Sequence, residues 1–518
     1  MTNGTMLQGF EWELPDDGRW WRRIRNMAFR LSRQGFSAVW LPPAYKGSGG
    51  ASDVGYGIYD LYDLGEFPQK HTIRTKYGTK EEYLSAVRAL QAADIQALAD
   101  VVLNHKMGAD GSETVSAWVD DPEHRDNPGQ EEKQVTVFTR FTFPGRAGVY
   151  SDFTWDHTCF TGVDWDEGAK ESGLFRFKGK QWAPDVDKEK GNYDYLMGDD
   201  VDVCNPAVAA ELQRWGCWYA DETGCDGFRL DAVKHISASF YRDWLPAIRR
   251  HTGRELYAVG EYWHTQVEPL TAYLTQVDGC MNLFDAPLHQ HLREASSSGG
   301  RYDMSKLFEG TLVGCMPHQA VTFVDNHDTQ PGQSLESWVE GWFKATAYGL
   351  ILLRAFGYPC VFLGDWQGIP ARKIAAVPQL PQLLRLRRTH AYGEEHDYFD
   401  HPSVIGFTRE GVADRPGSGL AFLCTNAEGG EKRMFVGKAR AGRVFRCVMG
   451  GSGNVTIDGE GYGVFRVRDG GVSVYVPRMT LGEYGRYRRQ QAARDAHLSK
   501  RYLAWLRKEM HRERRTNG

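Results

Sequence analysis

The chain has 518 residues, 41% of them hydrophobic and 25% charged, which excludes a disordered or collagen-like body and leaves room for one large barrel with additions or roughly two to three domains. The 62 Lys and Arg against 67 Asp and Glu leave a net charge of −5, a balance that argues against a nucleic-acid partner. Aromatics reach 13%, with 16 Trp and 24 Tyr, a surplus that suits stacking on sugar rings or a plain aromatic core.

The first residues show no basic start followed by an apolar run, so no secretory signal is expected. Residues 5–10 read as a strand, 20–34 as a helix stopped by Gly35, and 37–41 as a short apolar strand before Pro42 and Pro43. Residues 80–93 read as a second helix and 95–103 as a buried strand. Between 104 and 206 the rhythm breaks. Asp, Gly and aromatics replace helical spacing over a length too great for a plain loop, so a separate inserted domain is expected there. The rhythm resumes with a helix at 207–222, a strand at 227–230, a helix at 239–251 and a strand at 256–259. A strand near 320–324, a long helix at 335–354 and a strand at 359–363 follow. Enough strand–helix units are visible to predict a closed (β/α)8 TIM barrel built from residues 1–103 and 207–396.

From 397 to 477 short alternating segments split by Gly, at 404–408, 419–425, 443–448 and 471–476, predict an antiparallel β-domain. The tail, 478–518, is basic. Leu498, Tyr502, Trp505, Leu506 and Met510 fall at helical spacing among Lys500, Arg501, Arg507 and Lys508, which predicts a helix partly packed on the β-domain or simply solvated. Docking of that helix to an anionic membrane surface or a protein partner is the alternative. The nine Cys, at 159, 204, 217, 225, 280, 315, 360, 424 and 447, are scattered without a Cys-x-x-Cys pair, which predicts free thiols in a reducing, cytoplasmic setting. The sequons at Asn3 and Asn454 would stay unmodified there. No stretch nears the roughly 20 apolar residues of a membrane span. A monomer is expected.

Barrel sites lie where strands end and loops begin. Polar residues gather at those ends: Asn104 and His105 after one strand, Asp231, Lys234 and His235 after another. Glu261 closes the next, and Asp325, Asn326, His327 and Asp328 follow the strand near 320–324. One such Asp is usually a helix cap, and a lone His or Arg an ordinary polar neighbour. Asp231, Glu261 and Asp328 at three separate strand ends, together with His, Arg and Lys, are not explained by capping. Carboxylates sharing a pocket suit acid–base and covalent glycosyl chemistry. Arg229, two residues before Asp231 on a strand, projects to the same side and can keep that carboxylate ionised.

The stretches DVVLNH at 100–105, GFRLDAVKH at 227–235, GEYW at 260–263 and FVDNHD at 323–328 resemble, in order and spacing, the four signature regions of the alpha-amylase family of glycoside hydrolases. PPAYK at 42–46, DVGYG at 53–57, GNYDYLM at 191–197 and the segment 325–337 are similar to its bacterial liquefying-type members. The resemblance runs from about residue 5 to 477 and excludes the tail. It implies Asp231 as nucleophile, Glu261 as general acid/base and Asp328 as stabiliser of the distorted sugar. It further implies that His105 and His327 donate hydrogen bonds to that sugar, that Tyr56 stacks on it, and that Lys234, His235 and Trp263 line the reducing-end side.

The same resemblance implies one calcium ion, with Asn104, Asp194 and Asp200 as side-chain ligands and the carbonyl of His235 as a fourth; hard oxygen donors of this kind suit Ca²⁺. The further calcium and sodium positions of the bacterial relatives correspond to Thr161, Ala183 and Cys204, with only Asp202 kept, so that cluster is expected to be absent. A calcium site joining barrel and β-domain is eroded too: Gly300 and Tyr302 remain, but Pro402 and Ser403 replace the expected His-Asp. The leading expectation is retaining, endo-acting hydrolysis of α-1,4-glucans. An intracellular glucan transglycosylase with the same site is the alternative, and an inactive glucan-binding protein the remote one.

Overall fold

The computed structural model describes residues 3–516; the outermost residues of the first and last expected segments, 1–2 and 517–518, lie outside the described residues. Eight strands form a closed barrel: β1 Met6–Gln8, β2 Ala38–Leu41, β3 Gln96–Val101, β4 Gly227–Leu230, β5 Tyr257–Gly260, β6 Asn282–Phe284, β7 Ala320–Phe323 and β8 Tyr358–Phe362. Each is parallel to the next, and β8 returns to β1. The strands read as continuous apolar runs because both faces are covered, so Ala38, Val39, Trp40 and Leu41 are all buried. Strand β6 escapes the sequence reading because three residues carry no periodic signal; pairing with β5 and β7 holds it in place.

The surrounding helices start and stop where local chemistry dictates. Trp20–Gln34 buries Trp20, Trp21, Ile24, Ala28 and Leu31 at helical spacing and ends at Gly35, whose φ of 109° only glycine adopts without strain. Thr79 and Glu82 form a capping box on Lys80–Ala92. Asn205 caps Pro206–Thr223, with Pro206 in the first turn. The helix expected at 335–354 is shorter: only Lys344–Leu353 is helical. Residues 335–343 instead cross the barrel mouth, where the Val339 N–H bonds Asp325 Oδ2 at 3.3 Å rather than a carbonyl of its own turn. Gly349 lets the shortened helix lie against the C-terminal sheet, since a Cβ there would fall 2.4 Å from the Phe422 ring.

The insertion after β3 contains a four-stranded antiparallel sheet in the order Glu132–Arg140, Gly111–Asp120, Glu171–Phe177, Gly162–Asp166. A buried Arg146–Asp60 pair at 2.8 Å ties it to the barrel. The C-terminal region is a six-stranded antiparallel sheet in the order Glu395–Tyr398, Val404–Arg409, Leu420–Thr425, Val472–Pro477, Val444–Met449, Asn454–Thr456. Its first strand begins at Glu395, ahead of the expected start at 397.

The tail is a single helix, Leu481–Thr516. Its apolar face meets the barrel helices Trp20–Gln34 and Lys80–Ala92 rather than the C-terminal sheet. Leu498 is buried, the Tyr502 ring lies 5.2 Å from that of Phe29, and the Tyr502 hydroxyl donates to the Arg25 carbonyl at 3.2 Å. Arg88 pairs with Glu509 at 2.7 Å, and Arg501 with Asp94. The start of the helix is tied to the C-terminal region, where Arg443 bonds Glu483 at 2.7 Å and Gln490 Nε2 donates to the Asp414 carbonyl at 3.0 Å, so the expected contact holds there; helical spacing fixes which residues form an apolar face but not which surface receives it. Leu498, Tyr502 and Trp505 of that face pack against the barrel, while Leu503 and Met510 stay exposed. Among the described residues no helix is long and apolar enough to cross a membrane. Deleting residues 481–518 is expected to lower the unfolding temperature by a few degrees while activity measured well below that temperature persists. Loss of activity in a truncated protein that is still folded, by circular dichroism, would place the tail in the site.

Candidate active site

Asp231 and Glu261 follow β4 and β5, whose register pairs Leu230 with Gly260, so the two carboxylates emerge side by side at the barrel mouth. The β3–β4 register sets Arg229 beside Asp100. Arg229 is fully buried and bonds Asp100 Oδ1 at 3.0 Å and Asp231 Oδ1 at 2.5 Å; its Nη2 stands 3.7 Å from Glu261 Oε2. The guanidinium also lies 4.7 Å from the Trp40 ring centroid. Burial disfavours its charge, but the charges of Asp100 and Asp231 outweigh that and hold its pKa well above the ordinary arginine value.

The carboxylates do not share this cation equally. Burial pushes Glu261 up to about 8, with Arg229 opposing and Asp231 and Asp328 adding to the rise. Its Oε2 accepts the Ala232 N–H at 3.0 Å. Ala232 stands in the left-handed region, φ 47° and ψ 40°, a strained place for a residue with a Cβ. Asp328, on the loop after β7, is pushed up to about 7, again chiefly by burial. A site with Asp231 on the guanidinium and two carboxyls that resist ionisation contains both halves of acid–base chemistry.

One wall is aromatic. The Tyr56 hydroxyl and Trp40 Nε1 both donate to Asp100 Oδ2 at 2.8 Å. The Tyr56 ring lies nearly parallel to those of His327, at 5.2 Å, and Trp12, at 5.9 Å. Trp12 was missed in the sequence, although it follows β1 and the rule of looking beyond strand ends would have found it. Asp100 was noted only as part of a motif; it is the acceptor that joins Arg229, Trp40 and Tyr56. His327 accepts from Gln8 Nε2 at Nδ1, 3.0 Å, which leaves its Nε2–H 3.3 Å from Asp328 Oδ2. Burial keeps that imidazole neutral.

His105 already has a partner within the protein. Its Nε2 donates to the Tyr56 carbonyl at 2.7 Å, so the free ring atom is the buried Nδ1, an acceptor in that tautomer. On the other side of the mouth Lys234 pairs with Glu189 of the insertion, a residue no strand-end rule could reveal. Trp263 is half-buried, its ring 5.7 Å from that of His289.

The short strand Asp199–Asp200 pairs with His105–Lys106, and the Val201 N–H bonds the Asn104 carbonyl at 2.9 Å, which brings Asn104 and Asp200 together. Both amide atoms of Asn104 and Oδ2 of Asp200 are buried without a hydrogen-bond partner among the described residues. Asp194 is pushed up to about 7 by burial, aided by Asp202 and Asp185, and Asp200 is raised by burial and by Asp194. His235 donates from Nδ1 to the Tyr193 carbonyl at 2.6 Å, next to Asp194. Crowded carboxylates beside an unsatisfied amide oxygen are what a hard cation relieves, so these residues fit Ca²⁺. Asp202 instead accepts Lys180 Nζ at 2.6 Å, and its neighbour Cys204 is exposed.

The fold and the site together define a (β/α)8 barrel protein with a strand-end carboxylate site and an inserted sheet beside it. The chain belongs to the alpha-amylase family: residues 30–395 match the family described as alpha amylase, catalytic domain. It is 54% identical over 482 residues to an alpha-amylase of Geobacillus stearothermophilus, covering 92% of this chain and 88% of that one. It is 50% identical to one of Bacillus licheniformis, covering 92% and 94%. A protein named cytoplasmic alpha-amylase, from Escherichia coli K12, is 43% identical, with 92% and 99% covered. The solved structure of an Anoxybacillus alpha-amylase superposes with a TM-score of 0.60 at 17% identity, covering 93% of this chain and 97% of that one, which speaks for the fold alone.

Asp100→Asn removes one partner of a fully buried guanidinium and should cost about 3 kcal/mol or more in denaturant unfolding. Unchanged stability would show that Asp231 alone satisfies Arg229.

Proposed function

We propose that the protein is a retaining, endo-acting hydrolase of α-1,4-glucosidic bonds in starch, glycogen or malto-oligosaccharides. The observation that carries this reading is the division of labour around Arg229: Asp231 is bonded to the guanidinium, while Glu261 beside it is held protonated by burial. The names of the three relatives above support the same substrate class. In the first step an Asp231 carboxylate oxygen attacks the anomeric carbon while Glu261 gives its proton to the departing glycosidic oxygen. The bond to the leaving sugar breaks and a glycosyl ester forms. In the second step Glu261, now a carboxylate, takes a proton from water as that water attacks the same carbon. The ester breaks, Asp231 is released, and the product keeps the α configuration. Asp328 forms no bond to carbon; it favours the positive, flattened ring of the transition state. Tyr56 would hold the face of that sugar with Trp12 extending the wall, His327 and Arg229 would touch its oxygens, and Lys234, His235 and Trp263 would line the leaving-group side.

The proposed organisation is a catalytic barrel of residues 1–103 and 207–396, an insertion of 104–206 as the second wall, a β-domain of 397–477 and the tail. Asn104, Asp194, Asp200 and the His235 carbonyl would hold one Ca²⁺, which when bound supplies a charge that clamps the insertion to the barrel. Lys180 on Asp202 supports the absence of a further cation cluster. All nine cysteines are free thiols, and with the named E. coli relative they support a cytoplasmic protein.

Asp231→Asn should abolish turnover. Glu261→Gln should block natural glucans yet spare the first step with a substrate whose leaving group needs no proton. Because Glu261 must start protonated, the rate should fall as pH rises through about 8; a rate flat from pH 6 to 10 would remove Glu261 as the acid. Proton NMR of the earliest products of maltoheptaose should show the α-anomer, and a β-anomer appearing first would sink the mechanism. Chelation should lower both unfolding temperature and activity, and metal analysis should return one tight calcium per chain. Two or more tight ions would contradict the single-site reading.

A further inference from the structure

We propose that Lys344, which touches none of the three site carboxylates, is a positioning residue for the loop that carries His327 and Asp328. This rests on the reading of Asp328 as a site carboxylate. Lys344 opens the helix Lys344–Leu353 and is buried, with Nζ 2.5 Å from Asp325 Oδ2 and 2.7 and 2.9 Å from the two oxygens of Asp365. Its ammonium also sits 3.2 Å from the centroid of the Trp338 ring. Asp365 lies just past β8, where it also accepts the Tyr348 hydroxyl at 2.7 Å. One cation therefore joins the ends of β7 and β8 and draws residues 335–343 down over them, against the helical tendency of that segment.

From Asp325 a continuous chain of hydrogen bonds runs to Asp328. The Thr329 hydroxyl donates to Asp325 Oδ1 at 2.8 Å and accepts the Asn326 N–H at 3.0 Å. The Asn326 side-chain oxygen then accepts the N–H groups of Asp328 and Thr329 at 2.8 and 2.9 Å. A second tie closes the same loop: the Ser337 N–H bonds the Thr329 carbonyl at 3.1 Å, and the Ser337 hydroxyl meets His289 Nε2 at 2.9 Å. The contacts among Asp325, Thr329 and Asn326 are buried, where displacement by water is costly, and those of Asp328 and Ser337 are half-buried. Without the ammonium, Asp325 and Asp365 would face each other uncompensated. The Asp325 carboxyl would then take up a proton or shift, and either change disturbs the carboxylate that receives Thr329 and the Val339 N–H.

An interaction that sets Asp328 against the developing ring charge acts on the transition state more than on the bound glucan, whose affinity is spread along the cleft. Its loss should lower kcat and leave KM nearly unchanged. A merely structural cation would lower the unfolding temperature and leave kcat per folded molecule intact.

The test compares the full-length protein with Lys344→Met, Thr329→Val, the double variant and Asp328→Asn, on maltoheptaose, well below each unfolding temperature and corrected for folded fraction. Thr329→Val cuts the chain of hydrogen bonds but leaves the ion pairs, so it decides the matter even where Lys344→Met does not fold. Both single variants should lose at least tenfold in kcat with KM within about threefold, and the double variant should lose little more than the worse single, the non-additivity expected along one path. Wild-type kcat in Thr329→Val, or fully multiplicative losses, overturns the inference. Asp328→Asn separates it from the functional reading: if that variant stays fully active, the role of Asp328 fails. If it is inactive while Thr329→Val is normal, only the role of Lys344 fails.

Discussion

A single buried guanidinium organises this protein's site. Arg229 has no exposed atom of consequence, and a charge so placed persists only because Asp100 and Asp231 surround it. The cation in turn decides what each carboxyl can do. Asp231 is bonded to it, Glu261 is near it but unbonded, and Asp328 feels it only at a distance. Three carboxyls thereby stand in different electrostatic settings within one mouth. Asp100 extends the same device to the aromatic wall, because the oxygen that does not face Arg229 receives Trp40 and Tyr56.

The barrel supplies the register that makes this arrangement possible. Parallel pairing of β3, β4 and β5 aligns Asp100 with Arg229 and Leu230 with Gly260, so that the charged residues meet at one level. Around this rigid centre the mouth is completed by segments with little regular structure of their own. The insertion enters through the pairing of Asp199–Asp200 with His105–Lys106, and the span 335–343 is held across β7 and β8 by Asp325 and Lys344. Both rely on buried charges, and both sit where a purely apolar contact would not fix a side chain to within hydrogen-bonding distance.

Much of this was legible along the chain. Covered parallel strands leave continuous apolar runs, amphipathic helices leave apolar residues at helical spacing, and Gly35, Thr79 and Asn205 mark helix ends by their local chemistry. Asp231, Glu261 and Asp328 stood out because a strand end is where a barrel presents polar groups. Other features left no such mark. Trp12 reads as one more aromatic until Tyr56 and His327 lie parallel to it. Glu189 lies in an irregular stretch and acquires meaning only opposite Lys234. The tail showed which residues form its apolar face, yet nothing in its spacing named the barrel helices that receive it.

The sequence by itself determined most of the strands and helices, the barrel class and the three carboxyls that stand at its mouth, because each follows from periodicity or from chemistry within a few residues. Only the tertiary structure decided the non-helical course of 335–343, the hydrogen-bonded state of His105, the surface under the tail and the sharing of Arg229 among its neighbours. In each of these the deciding partner is remote along the chain. Such partners meet only when the barrel closes, and one buried polar contact formed then outweighs the weak local preference it overrides.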